Sequence, residues 1–246
     1  MIVMDERMTA SHVPRRTFKV PASSSSFVEV SIAEPDLRAD NLNLTTWTSS
    51  FILANQLHKL DVIFEDNEHI PILELGAGTA LVGLAAATLW RRKTILTDLP
   101  GIVPGLRTNI DLNPAAVRAA SGAIQCGSLD WRTPDVLKLE NDNQLVASKG
   151  AKASIIFAAD TIYDEEHPEL LSSAILTWLA RTSSARAILT YALRVAYLDQ
   201  VREIWTMLEE GGLEAESNGQ EQADTKEWDD DDETLCEWVV WKWKST

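Results

Sequence analysis

The stretch Pro71-Ile-Leu-Glu-Leu-Gly-Ala-Gly-Thr-Ala-Leu-Val-Gly83 decides the fold. The apolar run Ile70–Leu75 reads as a short buried strand. Gly76 and Gly78 follow it, and residues 80–90 then read as a helix. Glycines in such a turn let the backbone bend tightly and come close to a ligand. In a doubly wound sheet, ligands sit at the carboxyl ends of the strands, near the point where the strand order reverses.

The same residues narrow the ligand. A dinucleotide turn needs a third glycine at position 81, which is Leu81, and Gly83 comes too late. Glu74, two residues before the first glycine, would sit awkwardly beside a pyrophosphate. No Gly-Lys-Ser/Thr follows, so a P-loop is excluded. S-adenosylmethionine, which has an amino group, a sulfonium and no phosphate, fits better. Asp98 closes the next strand, Thr94–Thr97, and lies 24 residues beyond Glu74. An acid there can accept from both ribose hydroxyls. Taken alone, Asp98 would equally serve as the N-cap of the helix that Leu99-Pro100 introduces, and the glycines as a plain strand–helix turn.

Outward from this turn, strands and helices alternate. Strand-like runs occupy 70–75, 94–97, 123–126, 154–159 and 187–191, with helix-like stretches at 80–90, 101–112, 167–181 and 196–210. This is the pattern of βαβ units and a mainly parallel sheet. Before it, Thr17–Val20 and Phe27–Ile32 alternate apolar and polar residues around Pro21 and Ser23–Ser26, which predicts a β-hairpin. A helix through Trp47, Phe51, Leu53, Leu57 and Leu60 is expected to start on a Thr45 or Thr46 cap. After Gly211-Gly212, a short strand over 213–216 and a polar, acidic loop over 217–233 are expected. Leu235–Trp243 then predicts a last, antiparallel strand. The expected organisation is a flexible terminus over 1–16 and a single domain over 17–246, with 17–40 as a hairpin extension.

With 246 residues, 45% hydrophobic and 24% charged, the chain has the composition of an ordinary globular protein. Twenty-two basic residues against 37 acidic ones leave a net charge of -15. That charge repels phosphate backbones and anionic membrane, and favours a basic partner. Ile72–Trp90 approaches the length of a membrane span but holds Glu74 and three glycines, so strand, turn and helix explain it better. Cys126 and Cys236 form no CxxC pair, which fits a reducing, cytoplasmic setting. No signal-peptide core follows the first charges. His12, His58, His69 and His167 are scattered without ligand spacing, so no metal is expected.

Four segments together carry a family resemblance: ELGAGTALVGLAAA, then TDLPGIVPGLRTNIDLN, then LDW, then AADTIY. Over roughly residues 40–210 the chain resembles the seven-β-strand methyltransferases. More narrowly, it is similar to the family-16 protein-lysine methyltransferases, marked by Asp-x-x-Tyr after the fourth strand. The stretch ADNLNLTTWTSSFILANQL is similar to the fungal branch that methylates translation elongation factors, elongation factor 2 in particular.

The resemblance implies an α/β, doubly wound, mainly parallel seven-stranded sheet and an S-adenosylmethionine cofactor that leaves as S-adenosylhomocysteine. It implies that Glu74, Gly76 and Gly78 hold the methionine end, that Asp98 takes the ribose, and that Leu129, Asp130 and Trp131 border the adenine. Trp47 and Ala159 are then cofactor contacts, and Asp160 and Tyr163 the catalytic pair. Ala80 departs from the family's third glycine. The acceptor lysine, with a reference pKa of about 10.4, must be neutral to attack. A carboxylate beside it opposes that, so Asp160 is expected to capture and aim the amine, and Tyr163 to offer ring and hydroxyl. Each residue also has a plain structural reading: Asp160 as a turn cap, Tyr163 and Trp47 as packing, Trp131 as a loop plug, His167 as a helix start.

The expected enzyme is thus a cytoplasmic, monomeric protein-lysine methyltransferase acting on a basic protein, such as an elongation factor, without nucleic acid or membrane. Two alternatives stay open. A small-molecule N-methyltransferase should close its acceptor pocket with a lid, whereas no long insertion follows Tyr163. A catalytically silent binding module would use the acidic, Trp-rich C-terminal segment, although Glu74, Asp98 and Asp160 are all intact.

Overall fold

The computed structural model describes residues 15–39, 42–64, 70–121, 123–224, 228 and 234–245. The expected hairpin forms as β1 (Arg15–Pro21) and β2 (Phe27–Ala33), paired antiparallel. Arg15 and Arg16 are already in the strand, so the hairpin begins before the anticipated boundary, while residues 1–14 lie outside the described ones. A two-residue ladder, β3 (Arg38–Ala39) with β4 (Leu42–Asn43), follows. Next comes α1 (Thr48–Gln56), extended by a 3₁₀ turn over Leu57–Lys59. Its N-cap is Trp47, with no side-chain capping bond. The Thr46 hydroxyl bonds Thr79 instead, at 2.9 Å, which overturns the expected threonine cap.

The alternating region begins with β5 (Ile70–Leu75), α2 (Leu81–Trp90), β6 (Thr94–Asp98), α3 (Val103–Leu112), α4 (Pro114–Ala119) and β7 (Ile124–Ser128). Two short strands, β8 (Val136–Leu139) and β9 (Leu145–Ala147), come next. The chain then continues through β10 (Ala153–Ala159), α5 (His167–Trp178), β11 (Arg186–Ala192), a 3₁₀ turn over Val195–Tyr197 and α6 (Leu198–Glu210). The last strands are β12 (Leu213–Gln222) and β13 (Leu235–Trp243). Pro168 falls in the first turn of α5, where its missing N–H costs nothing.

One sheet of nine strands runs β12-β13-β11-β10-β5-β6-β7-β8-β9. The five strands from β11 to β7 are parallel. β13 inserts antiparallel between β11 and β12, as a returning terminal strand must. The α/β, mainly parallel architecture is as the sequence implies, and β8 and β9 extend the seven-stranded pattern by two antiparallel edge strands. β12 is also longer than expected, because β13 pairs with it as far as Gln222.

Alternation along the strands divides the core in two. Ile155 and Phe157 face a cluster with Leu53, Leu84 and Leu106 from the first helices. Ile156 and Ala158 face Leu171, Ile175, Ile204 and Leu208 from α5 and α6. Ile72 and Leu73 of β5 divide in the same way and are both fully buried. At roughly 1.5–3 kcal/mol for each large buried side chain, this double burial fixes the register of the central strands. Ile72–Trp90 is spent on β5, the turn and α2, and no described helix is long and apolar enough to cross a membrane. The strand order reverses between β5 and β10, so the carboxyl ends of these two strands mark the binding crevice.

Candidate functional site

Five loops converge at those strand ends. The turn after β5 is left-handed at Gly76 (φ 63°), Gly78 (φ 53°) and Ala80 (φ 69°). A Cβ on Gly76 would lie 2.8 Å from Thr161 and 3.3 Å from Trp131, so a side chain is excluded there. A Cβ on Gly78 would meet nothing within 4 Å, because that Cα faces an open cavity. The turn is tied to β6: Ala77 N–H donates to the Thr97 carbonyl (2.9 Å), and Gly78 N–H to Asp98 Oδ2 (2.8 Å). The other Asp98 oxygen accepts from Leu99 N–H at 2.7 Å. Asp98 therefore both shapes the turn and presents its carboxylate to the cavity.

The cavity is lined by Trp47, Gly76, Gly78, Asp98, Leu129, Asp130, Trp131, Ala159, Asp160 and Tyr163, all anticipated from the sequence. Glu74 is the exception. Its carboxylate points behind the turn, where Oε2 accepts from Gly83 N–H at 2.9 Å, and the residue is 2% exposed. The sequence expects Glu74 to contact the donor directly; the structure places it behind the turn, where Gly83 N–H in the first turn of α2 is its hydrogen-bond partner among the described residues. Burial pushes its pKa up to about 8; the Gly83 bond opposes this and the Asp98 charge adds to it. The Asp130 carboxylate accepts from Arg132 N–H (2.9 Å), and Trp131 meets His167 edge-on at 5.8 Å.

Asp160 follows β10 in the left-handed region (φ 57°), which Asp tolerates better than most residues. Its backbone N–H bonds the Thr190 carbonyl, and its side chain is 3% exposed. It is not a turn cap. Both carboxylate oxygens accept from Arg194, at 2.7 and 2.9 Å, in the two-pronged arrangement that guanidinium favours. The Arg194 guanidinium also lies 5.5 Å from the centre of the Trp47 ring. Sequence reasoning missed Arg194, although it follows the carboxyl end of β11 just as Asp160 follows that of β10. Tyr163 packs edge-on against His167 at 4.3 Å.

A second cavity of about 760 Å³ adjoins the first, sharing Trp47, Arg132, Asp160, Tyr163 and His167. Asp164, Glu165 and Glu166 form its exposed rim, and Arg194 and Tyr197 also line it. Two further residues went unread. Asn109, fully buried on α3, holds both the N–H and the carbonyl of Ala33 and also the carbonyl of Thr79. Asn113 makes the equivalent pair of bonds to Ser31. They stitch the hairpin to the helix beside the glycine turn.

This geometry can be set beside known proteins. A family profile described as lysine methyltransferase matches residues 29–203, well over half of the chain. The chain belongs to the lysine methyltransferase family. S-adenosylmethionine is accordingly its methyl donor. It is 29% identical to the protein-lysine N-methyltransferase rrg1 of Schizosaccharomyces pombe, over 92% of this chain and 71% of that one. It is 32% identical to the protein-lysine N-methyltransferase EFM2 of Saccharomyces cerevisiae, over 75% of this chain. The match takes in 45% of EFM2, so this family member spans less than half of that relative's length. The fold is also that of a Pyrococcus horikoshii protein assigned as an RNA methyltransferase, with a TM-score of 0.54 at 12% identity, covering 85% of this chain and 93% of that one.

Proposed function

We propose that this S-adenosylmethionine-dependent protein-lysine N-methyltransferase seats its donor in the first cavity and receives a basic segment of a cytoplasmic protein, a translation elongation factor, through the second. One observation carries the reading. Two adjoining cavities share Asp160 and Tyr163; one is built on a glycine turn and Asp98, and the other is rimmed by Asp164, Glu165 and Glu166.

The residues present fit the donor. The open space over Gly78 admits a ligand against the backbone, and Asp98 offers a carboxylate for ribose hydroxyls. Gly76 and Gly78 would hold the methionine end, with Trp47 and Ala159 on the walls. Leu129, Asp130 and Trp131 would border the adenine. When bound, the donor supplies a methyl already activated on a sulfonium. What remains for the protein is alignment and exclusion of water. Asp160 and Tyr163 would aim the lysine amine, which must shed its proton before its lone pair attacks. As the new N–C bond forms, the C–S bond breaks and its electron pair stays on sulfur. The elongation-factor reading rests on the resemblance of residues 39–57 to that fungal branch, and on an acidic surface that suits a basic acceptor.

A small-molecule acceptor is the rival reading. The exposed acidic rim favours a protein, because a small acceptor is better served by an enclosed pocket. The test is transfer of labelled methyl to the proteins of a methyl-deprived cell extract. A discrete labelled protein, lost with Asp160→Ala, is expected. Donor binding with no labelled protein would move the assignment to a small acceptor.

A further inference from the structure

We infer that Arg194 is a positioning residue whose bidentate pairing with Asp160 cancels the carboxylate's field at the acceptor, so that the lysine amine can lose its proton in place. This rests on the reading of Asp160 and Tyr163 as the acceptor end of the site. The observation is the buried ion pair itself: Arg194 binds both oxygens of a carboxylate that is 3% exposed, at the point where the two cavities meet.

The chemistry needs such a partner. A lysine must give up its proton about three pH units below its reference pKa to react at pH 7.4. A carboxylate about 4 Å away, at an effective dielectric of about 20, would hold that proton more tightly by about another three pH units. A lone aspartate would thus bind the ammonium well and hold it unreactive. With both oxygens engaged by a permanent cation, Asp160 keeps lone pairs to aim the amine while the pair carries no net charge. The amine releases its proton to water and then attacks the methyl carbon.

Other charged groups face the same space. Asp164, Glu165 and Glu166 come from the loop after β10, and Arg132 from the loop after β7, with Arg132 paired to Glu166 at 2.9 Å. Tyr163, His167 and Tyr197 complete the titratable lining of the second cavity; in the first, Asp98 is held by the N–H groups of Gly78 and Leu99, and Asp130 is exposed. Glu165 and its neighbours are exposed, where water screens them, whereas the Asp160 side chain is buried. The field that decides the amine's protonation is therefore that of Asp160 and Arg194. Trp47 steadies the guanidinium from the donor side, 5.5 Å away.

The test compares wild type, Arg194→Gln and Arg194→Lys on the acceptor protein purified after labelling in a methyl-deprived extract. At saturating acceptor, the acidic limb of kcat against pH should move up by at least one unit in Arg194→Gln. Turnover at pH 7.5 then falls at least tenfold and recovers near pH 9.5. Arg194→Lys keeps the charge but loses the fork, so its kcat should drop with the limb unmoved. A second readout needs no turnover. Calorimetry of acceptor binding to the S-adenosylhomocysteine complex, in two buffers of different ionisation enthalpy, counts released protons; wild type should release more than Arg194→Gln at pH 8.5. A uniform loss of rate at every pH, with equal proton release, would overturn the inference and leave Arg194 as plain structure. Should Arg194→Gln fail to bind S-adenosylhomocysteine, Arg194→Lys decides, and a limb displaced by a unit overturns the inference. A wild-type enzyme that labels no protein would instead bring down the functional reading beneath it.

Discussion

The fold moves the ionisation of Glu74 far from its ordinary range. Its ordinary pKa of 4.5 rises to about 8 on burial. Below about pH 4.5 the carboxyl is protonated in both folded and unfolded chains, and its contribution to stability is fully present. As pH rises, the unfolded chain ionises first while the folded one keeps its proton, so stability falls until the folded group ionises near pH 8. At 1.36 kcal/mol per unit, the difference between 4.5 and about 8 is roughly 4–5 kcal/mol. Glu74→Gln keeps an acceptor for Gly83 N–H and cannot ionise. Its Tm should therefore gain on wild type by several degrees more at pH 8.5 than at pH 5, measured by calorimetry; parallel curves would refute the buried carboxyl. Gly83 is part of the arrangement, since a Cβ there would come 2.4 Å from Glu74 Oε2 and 2.2 Å from Leu96. Ala80 is a different case. Its left-handed backbone costs about 1 kcal/mol, but its fully buried methyl returns about 0.8 kcal/mol. Ala80→Gly should accordingly shift Tm by less than about 2 °C, whereas Ala80→Val, branched at positive φ, should lower it well beyond that. Glycines, acids and the Asp-x-x-Tyr pair could be read from the sequence because each follows a recognisable strand. The direction of the Glu74 side chain and its partner Gly83 could not, because a separation of nine positions says nothing about which side of a turn a carboxylate takes.

The helices and hairpin owe their placement to a few buried amides. Asn109 makes three hydrogen bonds from α3, two to Ala33 at the end of β2 and one to Thr79 in the turn. Asn109→Ala would leave those backbone groups unpaired in a dry site, at a cost of roughly 2–4 kcal/mol. In a chain of this length that is a fall in Tm of about 5–12 °C. Because Thr79 belongs to the turn, calorimetric affinity for S-adenosylhomocysteine should fall as well; unchanged affinity would show that the bond to Thr79 does not shape the site. The elements that were legible are those with a clear apolar period: β5, β6, β10, β11, β13 and the helices between them. β8 and β9 escaped notice because they are only four and three residues long and are separated by Glu140-Asn-Asp-Asn-Gln144. The outer half of β12, Ser217 to Gln222, is polar and largely exposed, and only the backbone of β13 makes it a strand. The threonine cap failed because Thr46 had a better partner in Thr79, which lies 33 residues away. Arg194 was hidden for the same reason, 34 residues from Asp160.

Charge acts over longer distances than any of these contacts. A net charge of -15 draws a basic partner from solution, but an encounter effect becomes specificity only where the charges are concentrated beside the chemistry. Asp164, Glu165 and Glu166 are so placed, exposed at the second cavity and within one loop of Asp160. Exposed charges at this range are screened by salt over about 10 Å at 0.1 M. The triple variant Asp164→Asn, Glu165→Gln, Glu166→Gln breaks the exposed pair of Glu166 with Arg132, worth about 1 kcal/mol or less, so the fold should survive it. If the rim guides a basic segment, KM for the protein acceptor should rise about tenfold, equivalent to about 1.4 kcal/mol, with a far smaller change in kcat. Raising salt from 50 to 300 mM should raise KM in wild type and have little further effect in the variant. A wild-type KM indifferent to salt would separate the acidic surface from substrate choice. Recognition would then rest on shape at Trp47, Tyr163 and Tyr197, the aromatic walls of the same cavity.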